Sequence, residues 1–208
     1  MRKIKLYEDF NSKTLDINNI TYNNYFKVNK KDRPGMVAWR AKDSQVKNFE
    51  LISNHIKDGD SLLDYGCGIG DILKYLEDKK KISDYLGVDI NENFISQAKK
   101  DYPSNKFQLI KDSGEISGKY DIVCASGVFT WFITKEDFTN TINNLYDIAN
   151  REVLLTFLFK EDVDWDSNSY WDSKYRKYNE KMFGKLFDYE IKFDYTKTKD
   201  TLLVRLIK

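Results

Sequence analysis

SLLDYGCGIGD (61–71) decides how the rest of the chain is read. The apolar pair Leu62-Leu63 ends in an acid, Asp64, and three of the chain's ten glycines then follow at every second position, Gly66, Gly68 and Gly70. Glycine adopts positive φ without steric penalty and lets another group approach its backbone closely. A helix opening at Asp71 aims its first amides at whatever sits on the turn. The stretch predicts a strand, a tight turn and a helix, with a ligand site at the strand's carboxyl end.

Outward from this turn the pattern alternates. DSQVKNFELISNHI (43–56) places Val46, Phe49, Ile52 and Ile56 on one helical face, with Asp43 or Ser44 as N-cap. Residues 61–65 read as a buried strand, 71–81 as a helix and 84–90 as a second strand. A helix over 91–102 has Asn91 as its cap and Pro103 beyond its end. Strands follow at 106–110 and 120–126, a helix at 134–150 and an apolar strand at 152–159. Such alternation predicts an α/β fold, a doubly wound parallel sheet covered by helices on both faces. Residues 187–197 and 200–208 read as a terminal hairpin, which makes one strand antiparallel.

The 208 residues suffice for one domain with a sizeable core. Charged residues make up 32% and the mean hydropathy is −0.63, which predicts a soluble protein. No apolar run is long enough to span a membrane and the first residues lack a secretory pattern, so a cytoplasmic location is expected. Lys+Arg is 34 against Asp+Glu 33, without the basic excess of a dedicated nucleic-acid binder. Two cysteines, Cys67 and Cys124, and one histidine, His55, make neither a metal-ligand spacing nor a disulfide framework, so no metal is expected. Two aromatic-rich stretches fall outside the alternating pattern, residues 1–42 and 160–186. Their aromatic content argues against disorder.

Two ligand classes compete for the turn. A dinucleotide fingerprint, G-x-G-x-x-G, requires glycine where this chain has Asp71, and carboxylates at Asp64 and Asp71 would repel a pyrophosphate. The same acids suit a ligand with a cationic end. Asp89 closes the second strand about twenty residues on, where an acid can accept hydrogen bonds from both hydroxyls of a ribose. Asp112-Ser113 follows the third strand, placed to meet the exocyclic amine of a purine, and Ser126-Gly127 closes the fourth.

D-x-G-C-G-x-G, G-V-D-I, K-D-S and Y-D-I-V-x-A-S together resemble the class I S-adenosylmethionine-dependent methyltransferases, over residues 43–208. The resemblance implies S-adenosylmethionine as cofactor and S-adenosylhomocysteine as product. It implies cofactor contacts from Asp64, Tyr65, Gly66, Cys67, Gly68 and Gly70, from Asp89 and Ile90, and from Asp112, Ser113 and Ser126. It divides the chain into an N-terminal cap segment (1–42) and a methyltransferase domain (43–208) carrying a lid-like insertion at about 160–186. MVAWRAKDSQ (36–45) looks like a segment that precedes the core in some small bacterial and phage members. There Trp39 and Arg40 would close over the cofactor, with Arg40 on its carboxylate; the alternative is a core tryptophan and a solvated arginine.

Acceptor contacts are expected from aromatics. Phe129 and Trp131 in GVFTWF (127–132) either wall the methyl site or pack the next helix on the sheet. Trp165, Tyr170 and Trp171 either form a lid or a packed surface helix. No general base is nominated, because His55 ends the helix before the first strand, away from the acceptor side. The fourth strand ends in A-S-G-V-F rather than the D/N-P-P-Y/F of amino-directed DNA methyltransferases, and no proline-cysteine nucleophile or paired-glutamate loop is present. A small-molecule acceptor attacked at O or N is the default that these absences leave. The rivals are an oxidoreductase using a nicotinamide dinucleotide, a non-catalytic cofactor-binding module, and an RNA methyltransferase using lysines such as Lys79-Lys80-Lys81.

Overall fold

The computed structural model describes residues 18–29, 31–39, 41–130, 134–163, 167, 170, 177–186 and 192–208. Its strands are β1 (Ser61–Tyr65), β2 (Asp84–Asp89), β3 (Lys106–Leu109), β4 (Tyr120–Ser126), β5 (Ala149–Leu158), β6 (Lys192–Lys197) and β7 (Thr201–Ile207). Its helices are α1 (residues 18–28), α2 (Arg33–Met36), α3 (Lys42–Ser53), α4 (Asp71–Leu76), α5 (Glu92–Asp101), α6 (Lys135–Ile148) and α7 (Glu180–Leu186).

The strands form one sheet in the order β3-β2-β1-β4-β5-β7-β6. The first five are parallel; β7 runs antiparallel to both β5 and β6. This is the expected Rossmann-like α/β sheet with an antiparallel hairpin at its end. The hairpin enters the sheet with its second strand innermost, because β7 is apolar on both faces and β6 is not. Lys192, Asp194 and Lys197 on the largely exposed β6 blunt the free edge against further pairing.

Alternation along each central strand divides the core. Leu63, Val123, Leu155 and Val204 face the layer holding Phe138, Ile142 and Leu145 of α6 and Met182 and Phe183 of α7. Their neighbours Leu62, Cys124, Leu154 and Leu203 face Ile52 of α3, Ile72 of α4 and Ile95 of α5. Both sides of a strand are buried, as a doubly covered sheet requires.

Several boundaries differ from the sequence reading. Helix α3 begins after Ala41, which makes no side-chain cap, and Asp43 lies in its first turn beside the positive helix end. Helix α4 stops at Leu76, before the lysines of 79–81. Asn91 caps α5 as expected, its side chain accepting from the amides of Asn93 and Phe94. Residues 187–191, assigned to the first hairpin strand, lie outside the described residues. Among the described residues no helix is long and apolar enough to cross a membrane.

Candidate functional site

Strand order reverses between β2 and β4, on either side of β1, and the turn after β1 opens at that point. Ligands of open parallel sheets bind at such a crevice, beyond the strands' carboxyl ends. The amides of Gly66 and Cys67 both donate to Val88 O, at 2.8 and 2.9 Å, which ties the turn to β2. Gly66 and Gly68 hold φ of 71° and 55°. A Cβ on Gly66 would collide with Val128, and one on Gly68 would stand 2.9 Å from Val37 Cγ1. Gly70 serves packing, since a Cβ there would press on Phe107 and Tyr102 at 3.1 Å.

The acids have distinct surroundings. Asp89 Oδ2 accepts from Gly68 N and Oδ1 from Asn91 N, both at 2.9 Å. Each oxygen keeps a lone pair for a further donor. Burial pushes the Asp89 carboxyl up to about 6, against the pull of those amides. Asp64 lies on the sheet face shared with Tyr85 and Cys124. It accepts from the Tyr85 hydroxyl at 3.0 Å and from the Cys124 thiol at 3.7 Å. Burial pushes it up to about 7, and the charges of Asp89 and Asp71 add to that. Asp112 accepts from Gly114 N at 2.7 Å and starts a 3-10 turn, Ser113–Glu115.

Asp71 departs from expectation. Instead of facing a ligand's cationic end alone, its carboxylate is paired with Arg33 Nε and accepts from Gln45 Nε2 at 3.3 Å. A charge that the sequence shows free at a helix start is neutralised by a residue 38 positions earlier.

Asp64, Gly66, Gly68, Asp71, Asp89 and Asp112 line one cavity of about 1480 Å³. The other expected cofactor residues, Tyr65, Cys67, Ile90, Ser113, Ser126 and Trp39, line it too. The Tyr65 hydroxyl is engaged with Thr141 of α6. Ser113 Oγ accepts from Asn144 Nδ2 at 3.0 Å, and Ser126 Oγ lies 3.5 Å from Thr156 Oγ1. The indole of Trp39 rests on Gly127, its Cζ2 lying 3.1 Å from where a Cβ would be. Arg40 lies outside the described residues, as do Trp131, Trp165 and Trp171.

The packing alternative describes Phe129. It is 2% exposed, lines the cavity as well, stacks on Tyr65 and Phe157 and meets Phe138 edge-on. Its carbonyl accepts from the Tyr178 hydroxyl at 2.6 Å. Tyr170 packs edge-on against Tyr178, donates its hydroxyl to Lys177 O at 2.9 Å, and does not line the cavity. Tyr178, Met182 and Phe183, within the stretch read as a lid, are fully buried in the core. His55 sits at the amino ends of the strands, its Nδ1 3.9 Å from Glu152 Oε2. Burial, then Arg205, lowers its pKa.

Sequence reasoning missed the cavity's other walls. Tyr22 and Asn29 line it from the N-terminal segment, Gln45 and Asn48 from α3, and Asn140 and Asn144 from α6. One signal was available: Asn140 and Asn144 stand four apart, opposite the helix stripe of Phe138, Ile142 and Leu145. The N-terminal residues offered none beyond Asp32-Arg33-Pro34, a short helix start.

A glycine turn at the switch point, an acid at the end of β2 bonded to it and a further acid after β3 are the arrangement that the resemblance to class I S-adenosylmethionine-dependent methyltransferases implies. Residues 63–155 match a family model described as a methyltransferase domain. Protein 235L of Invertebrate iridescent virus 6, whose name gives methyltransferase and no acceptor, is 29% identical over 115 residues, 55% of this chain and 43% of its own length. A protein of Acanthamoeba polyphaga mimivirus named "Probable mRNA-capping enzyme" is 25% identical over 181 residues, 80% of this chain and 15% of its own. The chain thus spans less than half the length of either relative. Magnesium protoporphyrin IX methyltransferase from Synechocystis PCC 6803, solved with S-adenosylhomocysteine bound, shares the fold with a TM-score of 0.64 at 17% identity. That superposition covers 89% of this chain and 97% of the other.

Proposed function

We propose that this chain transfers a methyl group from S-adenosylmethionine to an oxygen or nitrogen of a small-molecule acceptor. The observation that carries the proposal is the joined unit of Gly68 and Asp89 at the wall of one large cavity. The cradle fits the cofactor. Gly66 and Gly68 bring bare backbone to the cavity wall, and Asp89 keeps lone pairs for ribose hydroxyls. In this reading Asp112, Ile90 and Ile110 of the cavity wall meet the purine and Asp64 meets the amino end.

When bound, the cofactor supplies a methyl group on a sulfonium, electrophilic without further activation. The protein's work is to position the acceptor and exclude water, and orientation alone can lower a barrier by roughly 7–11 kcal/mol. The acceptor end is walled by amides and hydroxyls, among them Asn140, Thr141 and Asn144 of α6 and Gln45 and Asn48 of α3. These orient hydroxyl or amine groups through neutral hydrogen bonds. Asp137 lines the same cavity from the first turn of α6 and is our candidate to take a proton from an acceptor hydroxyl as it attacks, or from an ammonium before its free amine attacks.

The name of one relative points to RNA and that of the fold neighbour to a porphyrin, so the acceptor class rests on the cavity itself. Among its described lining residues aspartates predominate and Lys111 is the one cation, a poor match to a phosphate backbone. Isothermal titration with S-adenosylhomocysteine and NAD tests the cofactor, with binding expected for the first alone. Release of S-adenosylhomocysteine over a panel of amines, hydroxylated compounds and capped RNA tests the acceptor. Turnover of RNA and of nothing smaller would overturn the small-molecule reading, and failure of every acceptor despite tight binding would favour a non-catalytic module.

A further inference from the structure

Helices α1 and α2, with the turn from Val37 to Trp39, lie across the cofactor crevice as a separate layer. Their apolar contacts form a small cluster of their own: Met36 meets Ile69 and Phe94, with Tyr22, Phe26 and Val37 packed around them. Neither main core cluster includes any of these N-terminal residues. A layer held by few apolar contacts opens at a lower free energy than the sheet beneath it. Polar contacts therefore weigh more in holding it down.

At the α2 end those contacts converge on one side chain. Arg33 pairs with Asp71 at the start of α4 and with Asp101 at the end of α5, the latter at 2.5 Å. Its Nη2 also donates to Ile69 O inside the glycine turn at 3.1 Å and to the Tyr102 hydroxyl at 3.3 Å. One guanidinium thus bridges the glycine turn and the two helices that flank it. With Arg33 seated, Val37 presses on Gly68. At the far end of the layer, Asn23 Oδ1 accepts from Asn91 Nδ2 at 2.9 Å and from Asn93 Nδ2 at 2.8 Å. Asn91 is the residue whose own amide donates to Asp89. The layer therefore touches both halves of the cofactor site, the turn through Arg33 and Val37 and the ribose side through Asn23. Ala38 holds a φ of 65° where the layer leaves α2, a conformation that non-glycine residues adopt at a cost.

We propose that α1, α2 and the turn to Trp39 form a closing cap whose latch is Arg33, a positioning residue that governs how fast the cofactor leaves. Asp64 and Asp89, 3% and 7% exposed, line the same cavity as Tyr22, Val37 and Trp39 of this layer. Exchange of an adenosyl ligand requires the latch to release, and closure presents the turn and Asp89 in their bound arrangement. Because Arg33 is itself 37% exposed, salt weakens the latch. The proposal rests on the cofactor reading above for the identity of the ligand, while the latch itself is a property of the free protein.

The test compares wild type, Arg33→Gln and Asp101→Asn by amide hydrogen exchange without ligand and by stopped-flow dissociation of S-adenosylhomocysteine. Asp101 lies outside the cavity lining, so its variant keeps the test open should Arg33→Gln fold poorly. In Arg33→Gln, exchange in α1 and α2 should quicken about tenfold while β1 and β4 stay protected. Dissociation should quicken by about tenfold as well, and its acceleration by salt, present in wild type, should flatten. Asp101→Asn should move both readings the same way by less. Exchange that quickens evenly across the sheet would make Arg33 a stability residue and overturn the latch. So would an unchanged dissociation rate, or unchanged exchange in α1 and α2. If wild type fails to bind S-adenosylhomocysteine at all, the cofactor reading falls, and exchange in the free protein still decides the latch.

Discussion

The amide of Gly68 donates to Asp89 Oδ2 at 2.9 Å, joining the glycine turn to the acid that ends the neighbouring strand. The two residues are 21 positions apart. Parallel pairing of β1 with β2 brings Tyr65 beside Val88 and so sets the turn directly against Asp89. The turn is thereby held in shape by the same carboxylate that is proposed to receive the ribose.

Asp89→Ala should weaken S-adenosylhomocysteine binding by about 1–3 kcal/mol, through loss of hydrogen bonds to a charged acceptor. It should also destabilise the free protein, since the amides of Gly68 and Asn91 lose their partner. Titration calorimetry and a urea melt read the two effects separately. An unaltered dissociation constant would remove Asp89 from the ribose.

The two buried carboxyls predict a pH dependence with a definite sign. Folding raises Asp89 from 3.8 to about 6 and Asp64 from 3.8 to about 7, so the folded chain binds their protons more tightly than the unfolded chain. Their contribution to stability is fully present below the unfolded value and is lost as pH rises through the folded values. Asp64→Asn, which carries no charge, should therefore gain stability relative to wild type as pH is raised from about 5 to about 8. A constant difference across that range in urea melts would contradict the assigned burial. Cofactor binding runs the other way, because the ionised carboxylates are the better acceptors, and affinity should fall as pH is lowered through this range.

Gly68→Val places a branched side chain at a φ of 55° and within reach of Val37 Cγ1. Either the turn changes conformation or the N-terminal layer lifts. Binding of S-adenosylhomocysteine should drop by more than about tenfold. A normal titration would show that the turn does not touch the ligand.

Phe129→Ala should cost about 3–5 kcal/mol of stability, as expected for deleting a buried aromatic side chain. Its effect on the Michaelis constant of any acceptor should be small in comparison. A full-height thermal transition at the wild-type temperature together with a raised acceptor KM would return Phe129 to the acceptor wall.

The fold was legible because its signals are local. Hydrophobic runs such as 61–65 and 120–126, the helical stripe of Phe49, Ile52 and Ile56, and the cap at Asn91 are written in neighbouring residues, and they constrain φ, ψ and burial without distant help. The glycine turn with Asp64, Asp89 and Asp112 was legible for a related reason. A parallel sheet delivers the ends of its strands to one edge, so a residue's place at a strand end tells where it goes.

Residues off the strand ends were not legible in this way. Asp71 looked like a free acid until Arg33 was set against it, and the sequence left Phe129 open between acceptor wall and packing residue, while the structure packs it against Phe138 and Phe157 under the Tyr178 hydroxyl. Nothing in 18–39 announces that Val37 will cover Gly68 or that Asn23 will reach Asn91. By itself the sequence determined the order of strands and helices and which acids stand at the sheet's carboxyl edge, because local periodicity and strand direction suffice for both. Tertiary structure alone decided which of those acids are already paired, what roofs the cavity and which aromatics are core. Ion pairs and side-chain packing form between segments whose separation along the chain carries no trace of their meeting.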